Sequence, residues 1–107
     1  MISEVPERSI AVLPFLNLST NQEDEYFSDG ITEEIINALS LINGLKVIAR
    51  TSVFSLKGKN LDAREIGNKL GVNLLLEGSL RKVANKVRIS VQLVTAENGF
   101  RIWTEKY

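Results

Sequence analysis

The segment Arg50–Lys59, RTSVFSLKGK, gathers residue types that hold anions. Arg50, Lys57 and Lys59 bring positive charge. Thr51, Ser52 and Ser55 bring hydroxyls, and a helical turn starting after Thr51 would add backbone N–H groups. The spacing is not that of a P-loop, because no glycine stands five residues before Gly58. Asn17 and Ser19 follow the first apolar run and would lie at the same end of a parallel sheet. The candidate ligand-binding set is therefore Asn17, Ser19, Arg50, Thr51, Ser52, Lys57 and Lys59. The alternative is a solvated loop whose hydroxyls cap short turns.

Acidic residues form a second group. Glu25, Asp29 and Glu33 recur every four residues, so on a helix they make one stripe. Such a stripe could meet a basic partner or a divalent cation; the simpler expectation is a solvated outer face near the helix N-terminus. Glu34 falls within the apolar arc, where an ion pair to a loop lysine or arginine is expected. Trp103 and Tyr107 alternate on a terminal strand, either as a partner-contact surface or as core residues under a covering segment.

The chemistry these residues can do is narrow. The chain has no histidine and no cysteine, which removes the commonest general base, thiolate chemistry and most metal-ligand sets. No Gly-x-Ser-x-Gly or Gly-x-Gly-x-x-Gly motif is present. The expectation is no enzyme, no cofactor and no metal site. Thirteen basic residues balance thirteen acidic ones, so whole-chain charge gives no footprint for nucleic acid or an anionic membrane. No apolar run approaches the roughly 20 residues of a membrane span.

The elements that must position these residues follow from periodicity. Residues 1–8 read as a linker or frayed start, and residues 9–107 as one domain. Ser9–Phe15 reads as a buried strand ended by Pro14. Thr20 and Glu23 have capping-box spacing, opening a helix near Asn21. On that helix Phe27, Ile31, Ile35, Ala38, Leu39, Leu41 and Ile42 fall within roughly 160° of arc. The phase is the same on both sides of Asp29-Gly30, so the helix runs through this turn signal. The cost is about 1 kcal/mol for the interior glycine, a residue usually kept for close backbone approach. Asn43-Gly44 stops the helix.

Leu45–Ala49 is a second strand. Asp62 and Glu65 cap a short helix that ends at Gly71, and Val72–Leu80 is a third strand. Lys86–Val94 alternates apolar and polar residues, and Phe100–Tyr107 is a last strand with edge-like charges. The order is β-α-β-α-β-β-β. Right-handed crossovers with helices on both faces give a mixed five-stranded α/β sheet of order 2-1-3-4-5, strand 4 alone antiparallel. Two short helices cover such a sheet thinly, so a truncation before a C-terminal helix is expected.

The pieces SIAVLPF, YFSDGITEEIINAL, VIARTS, IGNKLGV, LEGSLRK and VRISVQLV, with the closing G..IW.E.Y, together resemble the TolB-like amino-terminal (FlgO-like) domain of bacterial multidomain regulators. The resemblance covers residues 9–107. It implies the same sheet order, a place in longer chains beside tetratricopeptide repeats or a nucleotide-cyclase domain, and no catalytic residues in this segment. The first reading is a non-catalytic regulatory or scaffold module, with neighbouring domains or another protein as partners; the exposed last strand adds a homodimer as an option. The other reading is a small anionic-ligand sensor. The cellular compartment is left open between cytoplasm and periplasm.

Overall fold

The computed structural model describes residues 8–107; the expected linker over residues 1–8 lies outside them except for Arg8. The elements are β1 (Ser9–Val12), β2 (Leu16–Asn17), α1 (Glu23–Leu39), β3 (Lys46–Val47), α2 (Arg50–Phe54), α3 (Ala63–Leu70), β4 (Leu74–Val83), β5 (Lys86–Thr95) and β6 (Arg101–Lys106). The sheet order is β3-β1-β4-β5-β6, which is the expected 2-1-3-4-5, and β5 runs antiparallel to both neighbours. Ile10, Val12, Phe15, Leu75, Leu76, Val91 and Val94 form the centre of the core. Among the described residues no helix is long and apolar enough to cross a membrane.

Pro14 interrupts the first strand without ending it. Val12 lies opposite Leu76 and Leu16 opposite Ser79, four residues against three, so one residue is looped out at Pro14-Phe15. The strand resumes as β2, and Leu18 N–H still reaches Leu80 C=O at 2.8 Å. The loop-out turns the Phe15 N–H away from the ladder and towards α1. There Thr32 Oγ1 accepts it at 3.0 Å and donates onward to Ser28 C=O at 2.9 Å.

That hydrogen bond sets the rotation of α1. The helix runs unbroken through Asp29-Gly30, as the periodicity requires. Its buried stripe, however, is Asp24, Ser28, Thr32 and Ile36, one residue off the expected apolar arc. Phe27 is 49% exposed and Leu41, beyond the helix end at Leu39, is 85% exposed. Glu34 consequently faces outward and makes no ion pair among the described residues. Nor is Gly30 the point of close approach, because a Cβ there would meet nothing within 4 Å. The small side chains of Ser28 and Thr32 bring α1 onto the sheet instead. The Thr20–Glu23 box is also absent: Asn21 Oδ1 accepts the Glu23 N–H at 2.9 Å, an exposed Asx-type cap.

Two glycines allow the remaining close contacts. A Cβ on Gly78 in β4 would fall inside the envelope of the Phe15 ring. One on Gly67 in α3 would come within 2.5 Å of the Ala96 Cβ. The Asp62–Glu65 capping box and the left-handed Gly71 cap close α3 as expected.

Cross-strand partners share a face of the sheet. Leu76 and Leu93, Gly78 and Val91, and Leu80 and Ile89 define the face on which Phe15 lies. Trp103 joins that face through its pairing with Leu93. The opposite face carries Leu75 with Val94, Glu77 with Gln92, Ser79 with Ser90 and Arg81 with Arg88. Gly67 places α3 against Ala96, two residues past Val94.

Candidate functional site

A cleft of roughly 500 Å³ opens at the C-terminal ends of the parallel strands. Its walls are the looped-out segment Leu13–Asn17 and the α2–α3 connection Leu56–Leu61, with Gly78 and Glu77 of β4 beside them. The topology dictates the place: β1 lies between β3 and β4, so the connections leaving β1 and β3 diverge there.

The structure divides the residues singled out from the sequence. Asn17, Lys57 and Lys59 line the cleft; Ser19, Arg50, Thr51 and Ser52 do not. Asn17 holds its own loop, accepting from Ser19 N–H at 2.9 Å and donating to Asn21 C=O at 3.2 Å. Ser19 Oγ accepts from Lys82 N–H at 2.6 Å and so ties the end of β2 to β4. Arg50 Nε sits 3.3 Å from Glu33, and its guanidinium lies 4.2 Å above the Phe54 ring. Thr51 and Ser52 are exposed on α2.

Lys57 is the hub of the site. Its ammonium contacts Glu25 at 2.6 Å and Asp29 at 2.7 and 2.9 Å. Partial burial pushes this ammonium towards the neutral form. The hydrogen bonds to Asp29 and Glu25, backed by their charge, outweigh that and hold its pKa above the ordinary value. The acidic stripe is thus ion-paired, although Glu33 and Glu25 stay well exposed to solvent. Its three carboxylates clamp α1 to α2 and the segment after it, and against Arg50 and Lys57 they leave a formal charge of −1. Lys59 makes no ion pair among the described residues, so it is the cation of the cleft that an anion could engage.

A family model described as "HilA/YgeH-like transcriptional regulator, second domain" matches residues 6–107. The chain belongs to this family. This member is 52% identical over 99 residues to a protein of Rhizobium meliloti (strain 1021) that bears an adenylate cyclase name. The match takes in 92% of this chain and 17% of that protein, so the chain spans under a fifth of its curated relative. Among solved structures, the lipoprotein GNA1162 of Neisseria meningitidis superposes with a TM-score of 0.75 at 19% identity, covering 92% of this chain and 79% of its own. The LpoB C-terminal domain from Salmonella enterica gives 0.71 at 17%, covering 98% and 83%. These superpositions, at under 20% identity, show a shared fold and nothing further. The family description names a regulator and no catalytic reaction, and the adenylate cyclase name belongs to a chain of which this domain matches a small part.

Sequence reasoning missed Phe15 and Gly78, which line the cleft, and the buried polar residues of α1, Asp24, Ser28 and Thr32. Asp24 Oδ2 and Ser28 Oγ are enclosed with no hydrogen-bond partner among the described residues. The signals were present. Asp24, Ser28, Thr32 and Ile36 repeat every four residues, and a glycine inside an apolar strand marks a close approach.

Proposed function

We propose that this domain is a non-catalytic regulatory or scaffold module of a longer bacterial signalling protein, working through contacts with neighbouring domains or another protein. We take it to be of the TolB-like amino-terminal kind, with repeat or cyclase domains elsewhere in such chains. The observation that carries the reading is the aromatic strip at the sheet edge. Phe100, Ile102, Trp103 and Tyr107 are all exposed, Trp103 at 44% and Tyr107 at 71%, on or beside the outermost strand β6. Half-exposed aromatics at an edge are typical anchors of protein interfaces.

The experiment uses the chain's single tryptophan, Trp103. Its fluorescence is followed while segments flanking this domain in a full-length protein are added. A blue shift with reduced quenching by iodide supports docking on the strip. Emission and quenching that stay unchanged with every flanking segment and in the intact protein would refute it.

A second reading, a sensor of a small anionic ligand, draws support from the cleft and from Lys59. The carboxylate clamp around Lys57 weighs against it, since two of the cations expected to receive an anion already face acids. Its test is a thermal-shift screen with nucleotides and phosphorylated metabolites. A ligand-specific rise that is lost in Lys59→Ala favours the sensor.

A further inference from the structure

Whole-chain neutrality conceals a segregated charge on the sheet face opposite Trp103. Arg81 stands directly across from Arg88 on the β4–β5 hairpin. Lys86, across from Val83, and Lys106, across from Ser90, carry positive charge on the same face. Like charges directly opposite one another destabilise a sheet. No ion pair among the described residues involves them: the three that form all join α1 to α2 or the segment after it, and Glu77, on the same face, accepts from Gln92 instead. The four cations line an open groove of about 610 Å³ to which no Asp or Glu side chain of the described residues contributes. Exposed aliphatic side chains border it. Leu16 stands opposite Ser79 on this face at 64% exposure, and Leu18, in the groove wall, is 48% exposed.

We propose that this groove docks an acidic, amphipathic segment of a partner polypeptide. A fold that keeps two arginines face to face at a cost in stability gains from that arrangement when an anion bridges them. A phosphate backbone would satisfy the arginines and lysines but leave Leu16 and Leu18 without apolar partners. A segment alternating carboxylates with leucine-like side chains satisfies both. Association is then electrostatically steered and weakens with salt, while the aliphatic contacts set its specificity for protein. The groove shares Tyr107 with the aromatic strip but does not include Trp103, so the two readings are tested apart.

The test titrates the whole chain into two labelled probes of equal net charge: a glutamate-rich peptide punctuated by leucines, and a DNA oligonucleotide. The peptide is expected to bind at low salt more tightly than the DNA. Arg81→Glu with Arg88→Glu should weaken it by about tenfold or more. Leu18→Ser should weaken the peptide and leave the DNA unchanged. Arg81→Glu alone turns the repulsive pair into an attractive one, so it should raise thermal stability while lowering peptide affinity, a combination that no folding defect produces. Tighter binding of the DNA, peptide affinity indifferent to the charge reversals, or no peptide binding at low salt would each overturn the proposal. None of these outcomes bears on the Trp103 fluorescence experiment.

Discussion

The contact between Phe15 and Gly78 can be broken by one methyl group. Gly78→Ala adds a Cβ where the Phe15 ring already lies, with three ring carbons inside contact range. The ring cannot withdraw easily. Phe15 is 1% exposed, and its backbone is fixed by the hydrogen bond to Thr32. Overpacking of this kind costs about 1–3 kcal/mol. The lost flexibility of glycine in the unfolded chain returns about 0.4–1 kcal/mol. Because the added atom meets the ring itself, the upper part of the range applies, and the net loss is about 2 kcal/mol. In a domain of this size that lowers Tm by about 8–16 °C. Urea unfolding followed by far-UV circular dichroism measures it as a fall in midpoint at constant slope. Phe15→Leu trims the ring, so the double variant should recover at least about 1 kcal/mol relative to the sum of the single changes. A Gly78→Ala protein within about 0.5 kcal/mol of the parent, or strictly additive changes, would show that the ring does not cross Gly78 and that the cleft floor is wrongly described.

Other changes probe other joints. Thr32→Val keeps the shape but strands the Phe15 N–H, and should cost about 1–3 kcal/mol in the same unfolding assay. Gly30→Ala, at an open helical site, should instead stabilise by about 0.5–1 kcal/mol. Ala84 has φ of 56° in the β4–β5 turn, so Ala84→Gly should relieve about 1 kcal/mol and raise Tm. The raised Lys57 pKa means that its contribution is fully present below the ordinary lysine value of 10.5 and is lost as pH rises through the higher folded value. The stability gap between the parent and Lys57→Met should therefore close in alkaline solution and stay constant from pH 7 to pH 9, as read from urea midpoints.

The sheet was legible because its signals are local and redundant. Apolar runs over β1, β3 and β4, the alternation in β5, and the handedness of crossovers admit one order. The rotation of α1 was not legible, because periodicity counts apolar side chains and cannot see that the looped-out Phe15 amide needs an acceptor. Thr32 satisfies it and draws a polar stripe inward, and Phe27 and Glu34 swing outward as a result. In the cleft, composition identified Lys57 but not its partners. Glu25 and Asp29 lie about thirty residues away in sequence and meet it only once α1 crosses the sheet. The arginines of the β4–β5 hairpin were hidden for a related reason: a net charge of zero averages over local excesses such as the four cations of their groove.

The open side of β6 has a consequence for assembly. The sheet order ends at this strand, whose six residues are all exposed. A strand in that position is a growth point, ready to take on one more layer of backbone from any chain of matching alternation. Arg101, Glu105 and Lys106 interrupt the apolar pattern along the rim, the kind of charge placement that discourages edge pairing. Neutral replacements of these three exposed charges are therefore expected to favour stacked, edge-to-edge association of the sheet.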